Sequence, residues 1–192
     1  MDCTALLSKE FGIAPPLVEN IIALIDEGNT IPFIARYRKE RTGSCDDQTL
    51  RALADRLAYL RGLQKRREEV LSAIGEQGKL TESLAADIAA AETLARLEDI
   101  YRPYKQKRRT RATVARERGL EPLAQLLLAQ DQTSGSLEAL AAPYAGAEKD
   151  VPTAADAISG ACDIIAEQIS DSAEGRARLR DYYWRNARLC ST

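Results

Sequence analysis

Leucines at positions 50, 53, 57 and 60 recur at intervals of three and four, and Val70, Leu71 and Ile74 resume the stripe after a polar middle. That period predicts one helix of about eight turns, at roughly 3.6 residues per turn, with some fraying at Gly62. An apolar face of this length needs a partner. After the break at "GEQGKLT", Thr81 is a good cap for "ESLAADIAAAETLARLEDIY", where Leu84, Ile88, Ala91, Leu94 and Leu97 form a facing stripe. Two such helices joined by a short turn pack as an antiparallel hairpin. Aromatic residues make up only 5% of the chain against 45% hydrophobic residues in all. The core must therefore be built mainly from Leu, Ile and Ala, which suits helices better than sheets. The expected fold class is all-α, a multi-helical domain.

The flanking segments carry their own helix signals. "TALLSKEF" reads as a short first helix ended by Gly12. "PPLVENIIALIDEG" follows, with Pro16 in its first turn, Val18, Ile21, Ile22 and Ile25 as its stripe, and Gly28 just past its end. "NTIPFIARYRKERTG" begins with Asn29 or Thr30 as a cap and Pro32 in the first turn. Three short helices with tight turns make a helix-turn-helix-like unit. Pro103 stops the helix that precedes it. "LEPLAQLLLAQ" is a short apolar helix, and "DQTSGSLEALAAPYAGAEKD" is irregular with a short helix. "VPTAADAISGACDIIAEQISDS" is a buried helix through Ala157, Ile158, Ala161, Ile164, Ile165 and Ile169. The last helix is amphipathic, with Leu179, Tyr182 or Tyr183, and Leu189 on one face. The expected divisions are 1–44 for the short-helix unit, 45–102 for the hairpin and 103–192 for the rest, together one continuous helical domain.

Several function classes are excluded on residue types. There is no histidine, which removes the commonest general base, the Ser-His and Cys-His pairs and mixed Cys/His zinc sites. No GxxxxGK[ST] loop and no GxGxxG turn occurs, so neither common nucleotide-phosphate cradle is available. The pair Asp46-Asp47 reads as a helix first turn, where negative charge is favourable, and not as an acid/base couple. The expectation is a protein that is not an enzyme, with no metal and no cofactor. Cys3, Cys45, Cys162 and Cys190 are widely spaced without a CxxC. They read as reduced thiols, Cys45 and Cys162 as small buried hydrophobes. No apolar run is long enough to span a bilayer and the first residues do not form a secretory signal, so a cytoplasmic location away from membrane is expected.

The charge is unevenly spread. Residues 1–101 carry 13 basic and 17 acidic residues, 102–118 carry 8 and 1, and 119–192 carry 6 and 11. A segment of +7 thus sits in a body of −9, hidden by a net charge of −2. Such a segment binds phosphate by charge and counterion release, and arginine adds bidentate bonding and stacking. The candidate nucleic-acid-binding residues are Arg102, Lys105, Lys107, Arg108, Arg109 and Arg111, with Tyr101 and Tyr104 to stack on unpaired bases. Two further clusters, Arg36, Arg38, Lys39 and Arg41, and Arg61, Lys65, Arg66 and Arg67, either join this segment in one basic surface or, the favoured reading, lie on ordinary exposed helix faces. The competing reading of the basic segment is equally physical: it pairs with acidic residues of its own body, each surface pair contributing about 0–1 kcal/mol.

The blocks "IPFIARYRKERTG", "LRALADRLAYLRGLQKRREEVLSAIGEQGKLT" and "LARLEDIYRPYKQKRRTRATVARERGLEPLA" closely resemble the N-terminal region of the Tex family of bacterial transcription accessory proteins. The resemblance is strong over about residues 10 to 130, and "LEDIYRPYKQKRRT" is its most specific part. It implies a long, mainly helical cytoplasmic protein whose later parts hold an RNase H-like domain, a helix-hairpin-helix module and an OB-fold RNA-binding domain, with this chain as an N-terminal piece. It implies nucleic acid, RNA or DNA, as a partner, together with the transcription machinery. No family catalytic residue falls in this span. The alternative it leaves open is a non-binding scaffold that packs on the remaining domains or docks on a protein partner.

Overall fold

The leucine stripe is a single helix in the computed structural model, which describes residues 2–105, 108–131, 135–188 and 190–191. Among the described residues there are twelve α-helices and no β-strand. They fall into two compact units, one up to Leu94 and one from Ala95 on.

The first unit contains α1 (Cys3–Phe11), α2 (Pro15–Asp26), α3 (Ile31–Tyr37), α4 (Lys39–Thr42), α5 (Asp47–Glu76) and α6 (Glu82–Ala90). The Asp46 carboxylate caps α5 by accepting from the Thr49 N–H at 2.7 Å, and Asp47 lies in the first turn. The helix runs through Gly62 unbroken and buries Leu50, Leu53, Leu57, Leu60, Leu63, Val70 and Ile74. Its N-terminal half joins Leu7, Val18, Ile21, Leu24 and Ile34 in one core. Gly12 ends α1 at φ 66°, the left-handed conformation expected there.

Two expected helices are broken. The stretch after Asn29 divides at Arg38, which has φ −131° and ψ 28°. The Arg38 guanidinium donates to the carbonyl of Tyr37 at 3.1 Å, satisfying a helix-end acceptor. Asn29 does not cap α3, because its side chain donates back to the Leu24 carbonyl at 2.9 Å. α4 then closes at Gly43, φ 65°. A Cβ there would lie 2.6 Å from Leu17 Cδ1, and this approach together with the left-handed φ favours glycine. The return arm expected over 82–101 is two helices, α6 and α7 (Leu94–Tyr101), with Ala91 extended between them. Two side chains of α5 hold the break: Arg67 donates to the Ala91 carbonyl at 2.6 Å and the Tyr59 hydroxyl accepts from the Leu94 N–H at 3.1 Å. Thr81 does cap α6.

The second unit holds most of α7, then α8 (Arg111–Glu117), α9 (Glu121–Ala129), α10 (Leu137–Ala141), α11 (Ala154–Asp171) and α12 (Ala173–Asn186). α8, α9 and α10 pack on α11 around Ala112, Ala115, Leu120, Leu123, Ala157, Ala161 and Ile164. Small residues let the helices approach, and a Cβ on Gly160 would lie 2.4 Å from Leu120 Cδ1. Thr153 and Asp156 form a reciprocal capping box at the start of α11. Two residues expected inside this unit lie outside. Ile169 is 61% exposed, in the last turn of α11. Cys162 is exposed, on the face of α11 away from Ala157, Ala161 and Ile164. All four cysteines are free. α12 buries no residue at all, and Leu189, expected on its apolar face, lies outside the described residues. Among the described residues no helix is long and apolar enough to cross a membrane.

Candidate nucleic-acid interface

Pro103 ends α7 and opens a single 3-10 turn over Arg102–Tyr104; Thr110 then caps α8 by accepting from the Thr113 N–H. The basic segment therefore runs from the end of one helix into the next, and its side chains divide into two sets.

The inner set ties the fold together. Arg102 Nε bonds Asp171 at 3.0 Å, and Arg116 Nη1 bonds Glu167 at 2.7 Å. The Thr110 hydroxyl donates to the other oxygen of Glu167 at 3.1 Å. Lys105 pairs with Glu98, and Arg118 with Asp150. The carboxylates of Glu167 and Asp171 are only 15% and 14% exposed, so these arginines neutralise partly desolvated acid. That is structural work which a phosphate could not take over without stranding a carboxylate.

The outer set is Arg108, Arg109 and Arg111. Arg108 has no carboxylate partner among the described residues. Arg109 bonds Glu117 at 2.6 Å but is 68% exposed. Arg111 lies 3.6 Å from Asp163 with 89% of its side chain in solvent. Pairs this exposed are exchanged at little cost. Lys107 lies outside the described residues. Tyr101 and Tyr104 are half-buried, and Lys105 Nζ sits 5.4 Å from the Tyr101 ring centre.

Two features go beyond the sequence reading, which had no counterpart for the first and gave only the cations of the second. The first is Asp99, buried in α7 and bonded by Arg176 Nε and Arg180 Nη2 of α12, both at 2.6 Å. Burial pushes this carboxyl up most strongly, yet the two guanidiniums together outweigh it, and the net shift is down. The signal was present as two arginines four apart, which share a helix face; their acid partner stands 77 residues earlier. The second feature is the α3–α4 surface. Arg36, Tyr37 and Lys39 are exposed, and Arg38 and Arg41 half-exposed. The Arg38 guanidinium lies 5.2 Å from the Phe33 ring centre, Phe33 lies 5.2 Å from Tyr37, and Arg36 lies 6.0 Å from Tyr37.

Elsewhere in the first unit the arginines are engaged. Arg56 and Arg61 make bidentate pairs with Glu10 and Asp26 at 2.6–2.8 Å, and these guanidinium bonds hold both carboxyls below the usual range. Arg51 and Arg66 bond Asp47 and Glu69, and Arg67 bonds the Ala91 carbonyl. Among the described residues no carboxylate pairs with Arg36, Arg38, Lys39 or Arg41. The cluster at Arg61, Lys65, Arg66 and Arg67 is thus largely self-paired, whereas the one at Arg36 is not.

Residues 1–75 match the family model of the Tex-like protein N-terminal domain, and residues 132–192 match that of the Tex central region. The chain is 49% identical over 97% of its length to Protein YhgF of Escherichia coli and 47% identical over 98% to the Transcriptional accessory protein Tex of Neisseria gonorrhoeae. It is 38% identical over 66% of its length to the human S1 RNA-binding domain-containing protein 1, of which it covers 13%. The chain spans 24% of the length of each of the two bacterial relatives. Models of the same family therefore match both ends of the chain, and the chain belongs to the Tex family through its N-terminal domain and part of the central region.

Proposed function

We propose that this chain is a non-catalytic, cytoplasmic helical module of a Tex-type protein that makes weak, sequence-tolerant contacts to nucleic acid during transcription. The observation that carries the reading is the exposed run Arg108, Arg109 and Arg111, which stands clear of the inner pairs. Support also comes from the relatives, one named a transcriptional accessory protein and another named for an S1 RNA-binding domain. Phosphate contacts of this type are read by salt. Titration of labelled single-stranded RNA and duplex DNA at several salt concentrations tests it. Replacing Arg108, Arg109 and Arg111 together by alanine is expected to weaken binding at low salt and to lower the single-strand salt slope by about 2, at roughly 0.7 per phosphate contact. Unchanged affinity and slope overturn the reading.

A second role is favoured by a separate observation. α12 leaves Leu179, Tyr182 and Tyr183 about three-fifths exposed and Trp184 90% exposed, with Ile169 open beside them in sequence. An apolar surface of that size belongs against another surface, and the scaffold reading assigns it to the domains that follow in the longer relatives. Trp184 is the only tryptophan, so its emission reports the contact. Its spectrum is expected to be that of solvated indole in the 192-residue chain and to move to shorter wavelength when the following domains of a longer relative are joined to it. A spectrum unchanged between the two rejects this role.

A further inference from the structure

We propose that the α3–α4 surface is a binding site of its own for single-stranded nucleic acid, with Tyr37 as the stacking platform for an unpaired base and Arg36, Lys39 and Arg41 as the phosphate contacts. The inference rests on the nucleic-acid reading above but uses residues in the other unit.

Three observations carry it. First, the four cations between Arg36 and Arg41 are separated only by Tyr37 and Glu40, yet among the described residues no carboxylate meets them, while Arg51, Arg56, Arg61 and Arg66 of this unit each bond one. Clustering like charge without neutralising it is unfavourable for the fold, and an anionic ligand relieves it. Second, the aromatic residues are built into the charge. Phe33 and Tyr37 stand one helical turn apart with ring centres at 5.2 Å, and a guanidinium lies against each ring. Phe33 and Arg38 form the inner half of this ladder, and Tyr37, 56% exposed, forms its open end. Third, the surface is held from beneath. Ile34 and Thr42 are fully buried, and Gly43 locks the chain against Leu17. The side chains are presented by fixed backbone.

Exposed ring plus unpaired cations is the chemistry of single strands. Every base has a face that stacks on an aromatic ring, and the backbone follows the positive charge. A duplex keeps its base faces covered and would use the cations alone. An acidic peptide would also neutralise the cations but would leave the ring unused.

The test uses the whole protein, with a labelled oligouridylate, a duplex of the same length and a glutamate-rich peptide as probes. Tyr37→Ala is expected to weaken oligouridylate binding about fivefold or more, the lower end of the range for base stacking, and to leave duplex binding unchanged. Tyr37→Phe is expected to restore the loss. Replacing Arg36, Lys39 and Arg41 by alanine weakens both nucleic acids. A photoreactive uridine in the oligonucleotide is expected to crosslink to the tryptic peptide containing Tyr37. Tyr37 is exposed, so its variants keep the fold, and their circular dichroism checks that. If the α3–α4 variants bind as the parent does while the Arg108, Arg109 and Arg111 variant loses affinity, this site fails and the function above stands. If the reverse holds, the site stands and the basic segment is not the contact. Preferential binding of the acidic peptide, lost in the same variants, overturns the nucleic-acid assignment of this surface.

Discussion

Replacing Arg176 and Arg180 together by alanine is expected to destabilise the second unit by about 3–5 kcal/mol, the cost of leaving a buried charge without its partners. Asp99 is 3% exposed, and each of its oxygens is bonded by one guanidinium of α12. α12 buries none of its own residues, so this clamp is a main tie between α12 and α7. Asp99→Ala should cost less, because the arginine side chains are 36% and 47% exposed and can recover hydration. The triple variant lacking Asp99 and both arginines should then be more stable than the variant lacking only the arginines. Urea unfolding followed by circular dichroism measures all three, and a loss below about 1 kcal/mol for the arginine pair would reduce the clamp to an ordinary surface contact. The sign of the pH dependence follows from the depressed folded-state pKa of Asp99. Its contribution is present above the unfolded-state value of about 3.9 and is lost as pH falls from there through the folded value. The difference between parent and Asp99→Ala should therefore close in strong acid.

The helix class was legible because it depends on near neighbours. Leu50, Leu53, Leu57 and Leu60 state their period within eleven residues, and Asp46, Thr81, Gly12 and Gly28 mark helix ends by local chemistry. The breaks were not legible, since distant side chains create them: Tyr59 and Arg67 reach 35 and 24 residues along the chain, one to the N–H of Leu94 where α7 begins and one to the carbonyl of Ala91, which is extended between the helices. The same distinction governs the candidate sites. A run of eight cations over 102–118 is visible as a run, but its division into inner and outer sets depends on Glu167 and Asp171, about sixty residues away. At Arg36 to Arg41 the deciding fact is the lack of acidic partners among the described residues, a property of the fold that local sequence cannot carry.

Ile34→Ala is expected to cost the first unit about 2–5 kcal/mol, and Ile34→Val about 0.5–1.5 kcal/mol. α3 has seven residues, too few to hold a helix alone, and Ile34 is its one buried residue. That side chain joins Leu50, Leu53 and Ile21 in the core, so its removal leaves a cavity at the place where α3 is anchored. The consequence for binding follows from the same geometry. Phe33, Arg36 and Tyr37 lie on the short helix that Ile34 anchors, and loosening α3 lets the ring and cations sample positions that no longer coincide. Denaturant unfolding should show a lower midpoint with an unchanged slope. Under conditions where Ile34→Ala remains folded, its affinity for oligouridylate should fall while Ile34→Val keeps most of it, although neither substitution alters an exposed group. A lowered midpoint with full single-strand affinity in Ile34→Ala would mean that the α3–α4 surface does not depend on its anchor, and that the nucleic acid is held by mobile charge instead of a built platform.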